Sequence, residues 1–250
     1  MSVLRVGDVE VATYVLDPPL DIRLAPRPYL HPVRTLGGTV VTDELCFDHP
    51  WHLGASVTIA DVNGWNFWGG RTYVRDQGYT WLDDHGTIRH DGWEGSGLVE
   101  RLRWNDGDGR TQLTERREIS AAAAAGGWEL TMTYSLTSIR DTALGSPATN
   151  GRDGGAGYGG FFWRCPPGRA VASEPHGSAA ESVTLTVDDR YSLTFRGLSG
   201  DDRWFIRTDD YIGVGAALAW ERPLLIPAGE TLTRTMSVLI RDDFPEPQPE

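Results

Sequence analysis

What most constrains this chain is a two-residue alternation of apolar and polar side chains, repeated in short runs between turn residues. Trp128-Glu129-Leu130-Thr131-Met132-Thr133-Tyr134-Ser135-Leu136 is apolar at every second position. A strand sends successive side chains to opposite faces, so such a run buries one face and wets the other. Ser182–Val187 and Tyr191–Phe195 alternate in the same way across Asp188-Asp189-Arg190, and Val9–Val15 does so near the start. Leu98–Trp104 and Thr111–Ile119 flank Asn105-Asp106-Gly107-Asp108-Gly109, which is a hairpin signal. Thr39–Thr42 is a short β-branched run, and Thr231–Ile240 follows the turn Pro227-Ala228-Gly229-Glu230. Few segments sustain a helical period. The expectation is an all-β chain, a large antiparallel β-sandwich. Ala121–Gly127 reads as a hairpin loop and the glycine-rich Gly145–Gly160 as a longer loop. One domain is expected over residues 1–244, with the Pro- and Glu-rich residues 245–250 as a disordered tail.

Composition excludes some partners. A net charge of −12 argues against nucleic acid and anionic membrane surfaces, both of which select a basic face. No stretch approaches the roughly 18 apolar residues of a membrane helix, and the N-terminus lacks a secretory pattern, so a cytoplasmic location is expected. Cys46 and Cys165 make no disulfide framework and read as free thiols, with a bridge between them left open. Self-association into a homo-oligomer is also left open. Ten Trp serve either a wide core or a ligand that stacks on rings.

The chemistry-bearing segment runs from Tyr29 to Trp68. Three of the six His lie between residues 31 and 52, in a stretch shaped by Pro and Gly. Polar groups on a rigid loop are how pockets are built. His49 and His52, two residues apart, can converge on one point, a metal or a polar ligand, and Asp48 is placed to orient one imidazole. His90 precedes a strand. Glu115 shares a strand face with Leu113, so if that face is concave Glu115 joins the histidines as general base or ligand. His49, His52, His90 and Glu115 are therefore the candidate catalytic set and, if a divalent metal is bound, its ligands. Tyr29, His31, Arg34, Trp68, Arg164, Trp204 and Arg207 are candidate substrate contacts, Arg beside Trp being a common sugar-binding pair. No phosphate-binding loop, nucleophile elbow or zinc-helix motif occurs in the sequence.

Arg27-Pro28-Tyr29, Pro32, Arg34-Thr35, Asp48-His49-Pro50, His52, Gly54, Val62-Asn63-Gly64 and Phe67-Trp68-Gly69-Gly70 together resemble the motif of a bacterial family called PmoA-like. His90, Glu115-Arg116 and Gly157–Arg164 extend the resemblance along most of the chain. Many members carry a further His where this chain has Trp51. The resemblance implies a supersandwich like that of galactose mutarotases and a role in carbohydrate metabolism. The function expected is a carbohydrate-active enzyme acting on a glycoside or oxidised (keto) sugar by His/Glu acid–base chemistry, through hydrolysis or elimination. The alternatives are a non-catalytic sugar-binding subunit and an aldose epimerase.

Overall fold

The alternating segments assemble as two antiparallel sheets, seen in a computed structural model that describes residues 2–243; the tail assigned to 245–250 lies outside them. The first sheet has seven strands in the spatial order Ser2–Val6, Val9–Val15, Tyr29–Val33, Ala55–Ile59, Gly159–Arg164, Gly213–Ala217 and Arg203–Arg207. The second has eight: Ala170–Ala172, Ser182–Val187, Tyr191–Arg196, Thr231–Asp242, Gly127–Ser138, Thr111–Ala124, Leu98–Asn105 and Thr87–Trp93. A three-stranded sheet of Leu224–Ile226, Thr142–Gly145 and Asp61–Val62, and the hairpin of Thr72–Val74 with Gly78–Thr80, complete the strands. The fold is an all-β sandwich.

Three hairpins read from the sequence pair as expected. The Ala121–Gly127 segment is more ordered than a loop. Ala124 pairs with Gly127, so only Ala125-Gly126 turns, with Gly126 in the left-handed region at φ 77°. Small side chains let both strands run nearly to the tip. Thr39–Thr42, by contrast, makes one isolated bridge among the described residues, between Arg34 and Val40. The Val41 carbonyl accepts from the Trp163 indole instead of from a neighbouring strand. Both cysteines are free thiols.

The main core lies between the sheets and includes Tyr14, Val57, Phe161, Trp163, Trp204 and Ile206 of the first and Trp104, Leu113, Trp128 and Tyr134 of the second. Alternation sends the neighbours of these residues to the other face of the first sheet. Phe162, Phe205 and Ala217 are buried there with Trp68 in a second, smaller apolar cluster. The first sheet is thus covered on both faces, and its outer covering forms the candidate site.

Candidate functional site

A cleft of about 770 Å³ opens on that outer face. Its floor is aromatic. Phe162 and Phe205 rise from strands on either side of Gly213–Ala217, whose glycines make room. A Cβ on Gly213 would stand 3.0 Å from the Phe162 ring. Trp68 packs on Phe162 at 4.9 Å and on Tyr158 at 4.5 Å, and Tyr158 meets Phe205 at 5.5 Å between ring centroids. Trp51 walls one side. It lies against Gly69 and Gly70, both at positive φ, and a Cβ on either would come within 2.6 Å of it. The Phe67-Trp68-Gly69-Gly70 run is therefore a seat for Trp51.

Arg27 holds this wall from beneath. It is buried and donates to the carbonyls of Trp51 at 2.9 Å and Trp68 at 3.3 Å and to the Ser56 hydroxyl at 3.1 Å. Burial, and then the charge of Arg117, bring its pKa down to about 9, so it remains a cation at neutral pH.

At one end of the cleft His49 and His52 stack, with centroids 4.7 Å apart and planes 11° from parallel. Their hydrogen bonds give them opposite polarity. Asp48 Oδ2 accepts from His49 Nδ1 at 2.8 Å, which leaves His49 Nε2 as a lone-pair acceptor. Arg164 Nη1 donates to His52 Nδ1 at 3.2 Å, so His52 carries its proton on Nε2. Arg164 also grips Asp48, Nη2 donating to both carboxylate oxygens at 2.9 and 3.0 Å. Burial works to raise the Asp48 pKa, but the hydrogen bonds from His49 and Arg164 outweigh it and hold the group below the usual carboxylate value. Tyr211 packs on both imidazoles, at 5.0 and 4.9 Å, with the Arg164 guanidinium over its ring. Burial keeps the Tyr211 hydroxyl protonated.

His52 is neutral for a clear reason. Burial first, then the neighbouring His49, Arg164 and Arg27, push its pKa well below the ordinary 6.5. In the unfolded chain the same imidazole takes a proton as pH falls through about 6.5. The unfolded state then binds more protons than the native one, so acidification destabilises the fold. His52 is expected to remove stability below about pH 6.5 at up to about 1.4 kcal/mol per pH unit. Urea unfolding at a series of pH values checks this, and His52→Gln should flatten the slope by up to one proton.

Over residues 2–248 the sequence matches a family of unknown function, DUF6807. The chain belongs to that family. No curated protein matches this DUF6807 chain. Among solved structures it is similar to heparan sulfate lyase HepC from Pedobacter heparinus, at 11% identity and a TM-score of 0.32 over 66% of this chain. A HepC mutant gives 10% identity and 0.32 over 65%. The DUF6807 chain spans only 23% of the length of either. No helix among its described residues is long and apolar enough to cross a membrane.

Of the residues singled out by sequence, His49, His52, Trp68 and Arg207 line the cleft and Arg164 braces its histidines. The others lie elsewhere in this DUF6807 chain. Glu115 sits between the two sheets, on the inner side of the first, where it accepts from Arg117 and from the Trp104 indole. His90 is on the second sheet, hydrogen-bonded to Glu100. The four-residue metal set is therefore not assembled, and no group of three or more potential ligands exists among the described residues. Trp204 points into the core, its indole donating to the Ala180 carbonyl, because alternation gives the cleft face to Phe205 and Arg207. Among the described residues the Arg34 side chain reaches only the Gly38 carbonyl, in a nearby turn. Tyr29 and His31 face Glu44, the tyrosine by a hydrogen bond and the imidazole at 3.6 Å, and neither lines the cleft. The cleft residues missed by sequence include Arg71, Tyr79, Trp81, Arg152 and Tyr211. Each is a lone side chain in a turn or short hairpin, and nothing local marks it.

Proposed function

We propose that the chain is a carbohydrate-active enzyme that moves a proton at a sugar bound in this cleft. The observation that carries the reading is the His49/His52 stack: one imidazole offers a lone pair, the other an N–H, at the end of an aromatic-floored cleft. Sugar rings present apolar C–H faces that lie on aromatic rings, while hydroxyls need directed polar groups. The cleft supplies both.

The same geometry selects among reactions. A glycosidase working through two carboxylates needs one of them protonated. Asp48 is held ionised by Arg164 and His49 and does not fill that role. The sequence contains no lysine, so no lysine Schiff base with a keto sugar forms on this chain. The stacked pair suits proton abstraction by His49 Nε2, with His52 Nε2–H and the Tyr211 hydroxyl as donors to the oxygen on which negative charge develops. A neutral imidazole donor suits that second role. Elimination or epimerisation beside a carbonyl or carboxyl group is therefore favoured over hydrolysis, with Glu115 taking no part.

The test is incubation in deuterated water with pyranosides, keto sugars and sugar acids, followed by NMR. Loss of a ring C–H signal, with or without formation of a double bond, is the expected result. Saturable binding with no exchange or turnover on any bound sugar would make the protein a binding subunit instead.

A further inference from the structure

We propose that the ligand of the cleft is an acidic sugar whose carboxylate is received by Arg152 and Arg207. This rests on the sugar reading above and adds the ligand's charge. The chain carries a net charge of −12, and all 23 of its basic side chains are arginine. Against that acidic background Arg71, Arg152 and Arg207 line one cleft. Arg164, beside them, is committed to Asp48. None of the other three is ion-paired to a carboxylate among the described residues.

They are held instead by ring faces. Arg152 lies over Tyr79 at 5.1 Å, Arg207 over Phe205 at 4.5 Å, and Arg71 over Trp81 at 5.9 Å. Stacking of this kind fixes a guanidinium by its plane and leaves its N–H edge free for a planar acceptor. Tyr79 bonds the Tyr158 hydroxyl at 3.1 Å and Tyr158 packs on Phe205, so Arg152 and Arg207 flank the same tyrosine. Both are half-buried, whereas Arg71 is exposed at the rim.

Arg207 has a close neighbour that does not satisfy it. His176 Nδ1 accepts from the Ile206 N–H at 3.1 Å, so its proton sits on Nε2, which donates to the Gly155 carbonyl at 2.7 Å. The Arg207 Nη1 placed 3.2 Å from that Nε2 faces a donor. Among the described residues its side chain donates to only one acceptor, the carbonyl of its neighbour Ile206, at 3.2 Å.

The charge balance sets the valence. Asp209 and Asp210 also line the cleft, so with Asp48 neutralised by Arg164, three guanidiniums against two carboxylates leave one positive charge. That favours a singly charged carboxylate over a doubly charged phosphate, and the fork of arginine matches a carboxylate in plane.

Intrinsic fluorescence, with Trp51, Trp68 and Trp81 in the cleft, reports binding directly. The probes are methyl glycosides of glucose and galactose, the matching glucuronides and galacturonides, and the 6-phosphates. Expected are uronides at least tenfold tighter than their neutral counterparts and than the phosphates. Arg152→Gln and Arg207→Gln should each weaken uronide binding about tenfold or more and neutral-sugar binding by much less, and the retained neutral-sugar binding shows the variants are folded. Equal affinity for neutral and acidic sugars, tighter binding of phosphates, or variants that weaken both classes alike would overturn the acidic-ligand proposal and spare the sugar reading. No binding of any sugar would overturn both.

Discussion

Glu115→Ala is expected to cost about 3–5 kcal/mol of stability, because it strands a buried cation. The carboxylate accepts from Arg117 Nε at 2.6 Å and Nη2 at 2.9 Å and from the Trp104 indole at 2.7 Å. Both side chains of the ion pair are 0% exposed. Burial works against the Arg117 charge, but Glu115 opposite it raises the pKa above the ordinary arginine value. The pair is part of a chain of contacts between the sheets. Arg117 Nη1 donates to the Tyr14 hydroxyl at 3.0 Å, Tyr14 donates to Glu100 at 2.6 Å, and Glu100 meets His90 at 2.6 Å. Without Glu115, the guanidinium keeps, among the described residues, only the Tyr14 hydroxyl and the Pro28 carbonyl. A loss of that size is a large share of the roughly 5–15 kcal/mol that holds a domain together. It corresponds to a melting temperature lower by roughly 6–20 °C. Calorimetry measures it. Turnover per folded molecule below the new melting point should be unchanged. A variant with full stability and no turnover would return Glu115 to the chemistry.

The opposite pattern is expected for His49→Ala: turnover lower by roughly 10²–10⁴-fold, with little change in stability. The imidazole is 34% exposed at the side chain, and its one hydrogen bond among the described residues goes to Asp48. Its removal leaves Asp48 still paired with Arg164, so no charge is stranded. A stability change of about 1 kcal/mol or less follows. Asp48→Asn separates orientation from chemistry. It removes the carboxylate that fixes the His49 proton on Nδ1, so turnover should fall while sugar affinity holds. Parallel measurement of kcat and KM on whichever sugar exchanges its proton decides the matter. An unchanged kcat in His49→Ala would sink the proton-abstraction reading.

These two glutamate and histidine positions show where sequence reasoning carried and where it stopped. Alternation correctly set Glu115 on the same face as Leu113, since both are buried toward the inside of the sandwich. It could not tell that this face meets the hydrophobic core. Trp204 was misplaced for the same reason. Its strand has two buried faces, and composition alone does not say which one meets the cleft. The Asp48-His49-Pro50-Trp51-His52 segment was legible because its polar residues are crowded into a Pro-shaped turn, where a core role is costly.

The sequence by itself determined the all-β class, six of the eight strands of the second sheet, the hairpins and the histidine loop, because these follow from local periodicity and turn chemistry. The tertiary structure alone decided which strand faces line the cleft and which partners complete it. Arg164 reaches Asp48 across 116 positions, and Tyr79 reaches Tyr158 across 79. Such pairings arise when strands distant in sequence become neighbours in one sheet and their loops fold over its outer face. No local pattern of residues encodes that arrangement.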